Sequence, residues 1–223
     1  MCGINRHLFE GVAQDDCERL LFSMKITEKN YKKGETVYRF SSSNTEIGVV
    51  RLGNAKIVKC DKSGNESILE LLGEGGLFGN AFAFPHSDGE YITVIAQSNL
   101  TVDYIPQIEL MKSCDKGCDG RHGVILNLLG LINKKTADLS ERVEILSNKT
   151  IRDRLLCYFT NLSAKSKSSE VTLPMSLTIL AEYLAVDSSA MMREIKRLKE
   201  ENILLLNGKK YILNIKYNKY ITK

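Results

Sequence analysis

The sequence contains no uncharged apolar run of about 18 residues, the length a helix needs to cross a bilayer. Its start, Met1-Cys2-Gly3-Ile4-Asn5-Arg6-His7, lacks the apolar stretch of a secretory signal, so a cytoplasmic protein without a membrane partner is expected. Proline is scarce, with 3 in 223 residues, and 43% of residues are apolar, which excludes collagen-like and wholly disordered chains. Histidine is equally scarce: the three, His7, His86 and His122, lie far apart. Six cysteines in a chain this long do not read as a disulfide framework, and a reducing compartment is the default. Cys114, Cys118 and His122 have metal-like spacing, but no second pair completes a tetrahedral site, so no metal is expected.

What is present is uneven. Residues 148–223 hold 14 Lys and Arg against 7 Asp and Glu, a surplus of seven, whereas the rest of the chain has a net charge of −3. A basic third joined to a mildly acidic two-thirds suggests a module that meets a polyanion, carried by one that does not.

Three textures follow one another. After a short helical pattern at Cys17, Leu20, Leu21 and Met24, residues from about Lys25 to Met111 alternate with period two, and glycines recur at short intervals. Val49–Val58 reads as a half-buried strand bent at Gly53, and Tyr91–Ala96 and Leu100–Ile105 read as further strands. Many short strands at this spacing predict a small antiparallel roll. The second texture is a helix from about His122 to Ser147. Ile125, Leu128, Ile132, Leu139, Val143 and Leu146 form a heptad seam with a polar break near Lys135 and Thr136, which predicts a two-helix dimer contact.

The third texture carries the chemistry. Ser176 can cap a helix whose inner positions are Leu180, Ala181 and Leu184. Ala185 and Val186 make a turn, and Asp187 can cap a second helix. In that helix Met191, Ile195 and Leu198 face inward, leaving Ser188, Ser189, Met192, Arg193 and Lys196 outward. Asn207-Gly208 between apolar runs is a hairpin signal, with Lys209 and Lys210 at its tip. Two short helices followed by a lysine-tipped hairpin predict a winged helix-turn-helix. The helix would enter the major groove and the tip would meet phosphate.

With these residues in view, the sequence resembles the cyclic-AMP receptor protein and fumarate-nitrate regulator (Crp/Fnr) superfamily over nearly its whole length. The resemblance is carried by Lys33-Gly34-Glu35-Thr36-Val37, Leu52-Gly53-Asn54-Ala55-Lys56, Gly73-Glu74-Gly75-Gly76-Leu77-Phe78-Gly79, Leu180–Leu184 and Ser188–Leu198. It implies an α+β chain with an antiparallel β-roll like a cyclic-nucleotide-binding jelly roll over 1–120. A dimerisation helix would follow over 121–147, then a winged helix-turn-helix over 148–223. It also implies a homodimer and a double-stranded, palindromic DNA operator, with RNA polymerase as a further partner. Ser188, Ser189 and Arg193 fall where the family contacts base edges, and Ser176 falls where it contacts phosphate. A hinge near Ser147-Asn148 is expected to set the recognition helices about 34 Å apart.

The effector pocket implied by the resemblance comprises Asn80, Glu90, Tyr91, Leu139 and Ser140. Members that bind cyclic nucleotides use Gly-Glu for the ribose and Arg-Ser or Arg-Thr for the phosphate, where this chain has Gly79-Asn80 and Glu90-Tyr91. A carboxylate in place of the guanidinium turns attraction into repulsion, with about 4 kcal/mol exchanged between unit charges at about 4 Å. Cyclic AMP is therefore not the expected ligand. No resident cofactor is expected, and the roll is left to an unknown small-molecule effector or to none. Two rival readings are a cupin-like metal enzyme with a basic accessory domain and a nucleotide-gated interaction module. Scattered histidines weigh against the first, and the wing against the second.

Overall fold

The computed structural model describes residues 6–40, 45–64, 66–79, 91–112, 119–207 and 210–214. It divides into two compact units, Met1–Ala137 and Asp138–Lys223.

The first unit begins with helix α1 (Gln14–Ser23), followed by β1 (Thr27–Tyr31), β2 (Thr36–Arg39), β3 (Glu46–Leu52) and β4 (Ala55–Cys60). Next come β5 (Glu66–Leu72), β6 (Leu77–Gly79), β7 (Tyr91–Ala96), β8 (Leu100–Pro106) and the short α2 (Gln107–Met111). The strands form two antiparallel sheets, ordered β1-β8-β3-β6 and β2-β7-β4-β5. Val50, Ile57, Phe78, Val94, Val102 and Tyr104 fill the space between them. The first sheet is covered on its other face as well. There Ile47, Val49, Leu77 and Ile105 pack with Leu20 of α1, with Met24 just after it, and with Val124, Leu128 and Leu131 of α3 (Asp119–Ser147). Double covering explains why the run Ile47–Val50 is buried without alternation.

Gly53 takes the tight bend expected of it, with φ +89°, and a Cβ there would lie 2.2 Å from the Asn99 carbonyl oxygen. Gly48 is needed for a different reason: the Phe78 ring lies flush on its backbone, 2.2 Å from where a Cβ would sit. Within the first sheet, Asp103 is wholly buried. Its carboxylate accepts from Arg51 Nε at 3.0 Å and from a second guanidinium nitrogen, while Arg51 also reaches Glu28.

Helix α3 crosses the division between the units. In the first unit its inward stripe is Val124, Leu128, Leu131 and Lys135. The expected polar break is therefore not a solvent-facing one at Lys135. Its ammonium is buried, donates to both oxygens of Glu70 (2.6 Å to Oε1) and to the Leu77 carbonyl at 3.0 Å, and so fixes the helix to β5 and β6.

The second unit holds the end of α3, then α4 (Ile151–Ser166), β9 (Glu170–Thr172), α5 (Leu177–Tyr183), α6 (Ser188–Glu200), β10 (Leu204–Asn207) and β11 (Lys210–Leu213). Its core joins Ile145, Leu155, Phe159, Leu180, Met191, Ile195 and Leu198 with Leu204 and Leu213 of the sheet. That sheet is antiparallel, ordered β10-β11-β9. The last turns of α3 thus belong to this unit, and the compact division falls inside the helix at Ala137/Asp138 rather than at its ends.

Candidate nucleic-acid interface

The two short helices are built by their caps. Ser176 accepts the Ile179 N–H on its side-chain oxygen at 3.3 Å and starts α5. Asp187 accepts the Ala190 N–H at 2.8 Å and starts α6, as the sequence indicated. Between them Val186 N–H returns to the Ala181 carbonyl at 3.0 Å, and Ala185 sits at φ +52°. That left-handed conformation costs a residue with a Cβ roughly 1–2 kcal/mol. Arg154 on α4 compensates at this point: it donates to the carbonyls of Leu184 at 2.9 Å and Ala185 at 3.2 Å. The same guanidinium reaches Asn148 O at 2.9 Å and Leu146 O at 3.4 Å at the end of α3. Sequence reading missed Arg154, because its acceptors are backbone carbonyls that leave no side-chain signature.

Helix α6 is strongly two-sided. Met191, Ile195 and Leu198 are buried in the core. Ser188, Ser189, Met192, Arg193 and Lys196 are all exposed on the opposite side. Most basic neighbours are engaged: Arg152 holds Glu194 at 3.2 Å and also Glu201, and Arg197 pairs with Glu194 at 3.3 Å. Hydrogen bonding from Arg152 lowers the pKa of the Glu201 carboxyl. Among the described residues Lys196 has only a loose exposed pair with Glu200 at 3.8 Å. Arg193 has no ion-pair or hydrogen-bond partner among the described residues. In the third sheet, Asn207 pairs in register with Lys210, and Lys210 meets Glu170 at 3.5 Å. Lys209 lies outside the described residues.

The end of α3 is bound into this unit by further groups. Arg142 lies 4.8 Å from the centre of the Tyr183 ring, which in turn packs edge-on against Tyr158. Burial raises both phenolic pKa values. Lys165 bridges Asp138 at 3.0 Å and Glu141; burial opposes its charge, but the two carboxylates hold its pKa above the ordinary lysine value.

The line of exposed side chains on α3 is out of phase with the expected seam. Leu128 is only 5% exposed, packed in the core of the first unit, and is unavailable to a partner helix. Ile125, Ile132, Leu139 and Leu146 are half-buried, and Val143 is 65% exposed. Leu126 and Leu129, which were not assigned to the seam, are 53% and 50% exposed. The exposed line therefore runs Leu126, Leu129, Asn133, Thr136, Ser140, Val143, still at alternating steps of three and four.

Of the effector-pocket residues, Asn80 and Glu90 lie outside the described residues. Tyr91 opens β7, exposed and paired in register with Cys60. Leu139 and Ser140 belong to the second unit, half-buried and exposed respectively. Among the described residues no group of three or more His, Cys, Asp or Glu could hold a metal ion, and no helix is long and apolar enough to cross a membrane.

The chain thus joins a two-sheet antiparallel roll to a capped helix pair and a three-stranded antiparallel sheet. The profile of the cyclic nucleotide-binding domain matches residues 28–116, the roll itself. The "Probable transcriptional regulator flp" of Lacticaseibacillus casei is 28% identical over 192 residues, covering 84% of this chain and 83% of its own. The transcriptional activator protein FnrA of Stutzerimonas stutzeri is 24% identical over 196 residues, covering 80% and 72%. Among solved structures, CprK complexed with OCPA shares the fold with a TM-score of 0.66 at 21% identity, covering 90% of this chain and 92% of its own. Over most of its length the chain is similar to Crp/Fnr-type transcriptional regulators, and the relatives it matches are regulators rather than enzymes.

Proposed function

We propose that this regulator binds a palindromic duplex operator as a homodimer, with α6 of each copy in the major groove. Arg193 donates to guanine O6 and N7, and Ser188, Ser189, Met192 and Lys196 line the same face. Ser176, Lys209 and Lys210 meet phosphates, which position the helix without reading sequence. The observation that carries this reading is Arg193: an exposed guanidinium without a partner among the described residues, on a helix otherwise anchored by its Asp187 cap and three buried side chains. The dimer contact is the exposed line on α3 through Leu126, Leu129 and Val143. RNA polymerase is the further partner, and the site of action is the cytoplasm. Any small-molecule effector of the roll is one other than cyclic AMP, because the resemblance aligns Glu90 with the arginine that binds the phosphate in cyclic-nucleotide-binding members.

The test uses full-length protein with duplexes drawn from a randomised library. Arg193→Ala should cost about 1–3 kcal/mol of discrimination at one base pair of each half-site. Lys210→Ala should weaken all duplexes alike and reduce the salt slope by about one. A protein that is monomeric and indifferent to every duplex at low ionic strength would overturn the proposal, as would unchanged sequence preference in Arg193→Ala.

A further inference from the structure

We infer that Met192 reads the 5-methyl group of a thymine, so that each half-site carries a T·A pair beside the guanine met by Arg193. This rests on α6 being the recognition helix. The argument starts from two consecutive methionines with opposite fates. Met191 is wholly buried in the core of the second unit, and Met192 is 44% exposed. The core does not need Met192, because Met191, Ile195 and Leu198 already supply the inward stripe at i, i+4 and i+7.

Met192 stands one helical turn beyond Ser188 and Ser189, one turn before Lys196, and next to Arg193. It is the one apolar side chain among these five exposed positions; its neighbours are hydroxyls and cations. Such a face attracts a polyanion and would repel a basic protein partner, and the thioether at its middle needs an apolar counterpart within that polyanion. In the major groove only thymine offers one: every other base edge presents hydrogen-bond donors and acceptors, while thymine adds its C5 methyl. An unbranched, polarisable side chain with three rotatable bonds is well suited to lie against a methyl group whose height varies with local groove geometry.

The experiment separates this contact from the binding it depends on. Full-length protein selects duplexes from a randomised palindromic library, and each thymine of the selected half-site is then replaced singly by deoxyuridine, which removes only the methyl group. Affinities are read by fluorescence anisotropy for the wild type and for Met192→Ser, an exposed substitution that leaves the core untouched. One thymine per half-site should respond, with about a fourfold loss, the equivalent of the roughly 0.8 kcal/mol that burying one methyl group is worth. In Met192→Ser the thymine and uracil duplexes should bind equally. The inference is overturned if no thymine responds or if the response survives in Met192→Ser. Failure to enrich any sequence is a different result, and it would overturn the DNA-binding reading itself.

Discussion

Replacing Arg154 by Met keeps the length and aliphatic stem of the side chain but removes four donor contacts at once. Two of them, to Asn148 O and Leu184 O, are 2.9 Å long; those to Ala185 O and Leu146 O lengthen to 3.2 and 3.4 Å. A hydrogen bond from a charged donor contributes about 1.5–3 kcal/mol. The two short bonds dominate, and water reaches part of this half-buried side chain, so the expected cost is about 2–4 kcal/mol rather than the sum of four. The loss should fall on the turn at Ala185, where a strained left-handed residue depends on carbonyls held in place. Hydrogen exchange across 176–200 should therefore quicken at the start of α6 by a larger factor than in β3 or β8 of the roll. DNA affinity should drop for all sequences, because the helix loses its presentation and not its reading side chains. Unchanged exchange at 188–192 together with an unchanged urea midpoint would refute the assignment of Arg154 as the clasp of this turn.

Two further expectations follow from the same physical reasoning. Ala185→Gly should stabilise the second unit by about 0.5–1 kcal/mol, since glycine adopts positive φ without penalty but loses more chain entropy on folding; a lower unfolding midpoint would show that the turn is unstrained. Arg51→Met should cost about 3–5 kcal/mol by stranding the fully buried Asp103, while Arg51→Met with Asp103→Leu should recover most of the loss in urea unfolding. Equal destabilisation of the single and double variants would show that packing around Arg51, and not its charge, sustains the sheet.

The helix-turn-helix was legible because its signals are local. The Asp187 cap lies three residues from the N–H it accepts, and Met191, Ile195 and Leu198 repeat within two turns. The roll was legible as a texture of alternation and glycine, whereas in the second unit β9, only three residues long, gave no signal and became a strand only through β11. Helix α3 was harder. Between Val124 and Ile132 it is apolar nearly all round, so Leu128 and Leu129 compete for the same stripe, and only packing against Leu20, Met24 and Ile105 decides that Leu128 is inside. Lys135 looked like a break because its partner, Glu70, lies 65 residues away, a separation that no periodicity reports. The effector-pocket residues were placed by resemblance alone, and Asn80 and Glu90 lie outside the described residues.

The clasp made by Arg154 has one more consequence. It grips the tail of α3 at Leu146 and Asn148 with the same planar group that grips the corner before α6 at Leu184 and Ala185. At the joint Ser147-Asn148, where bending was expected, the backbone carbonyls of Leu146 and Asn148 accept from Arg154 of the same unit. Within the second unit one side chain therefore ties the end of α3 to the corner that precedes Ser188.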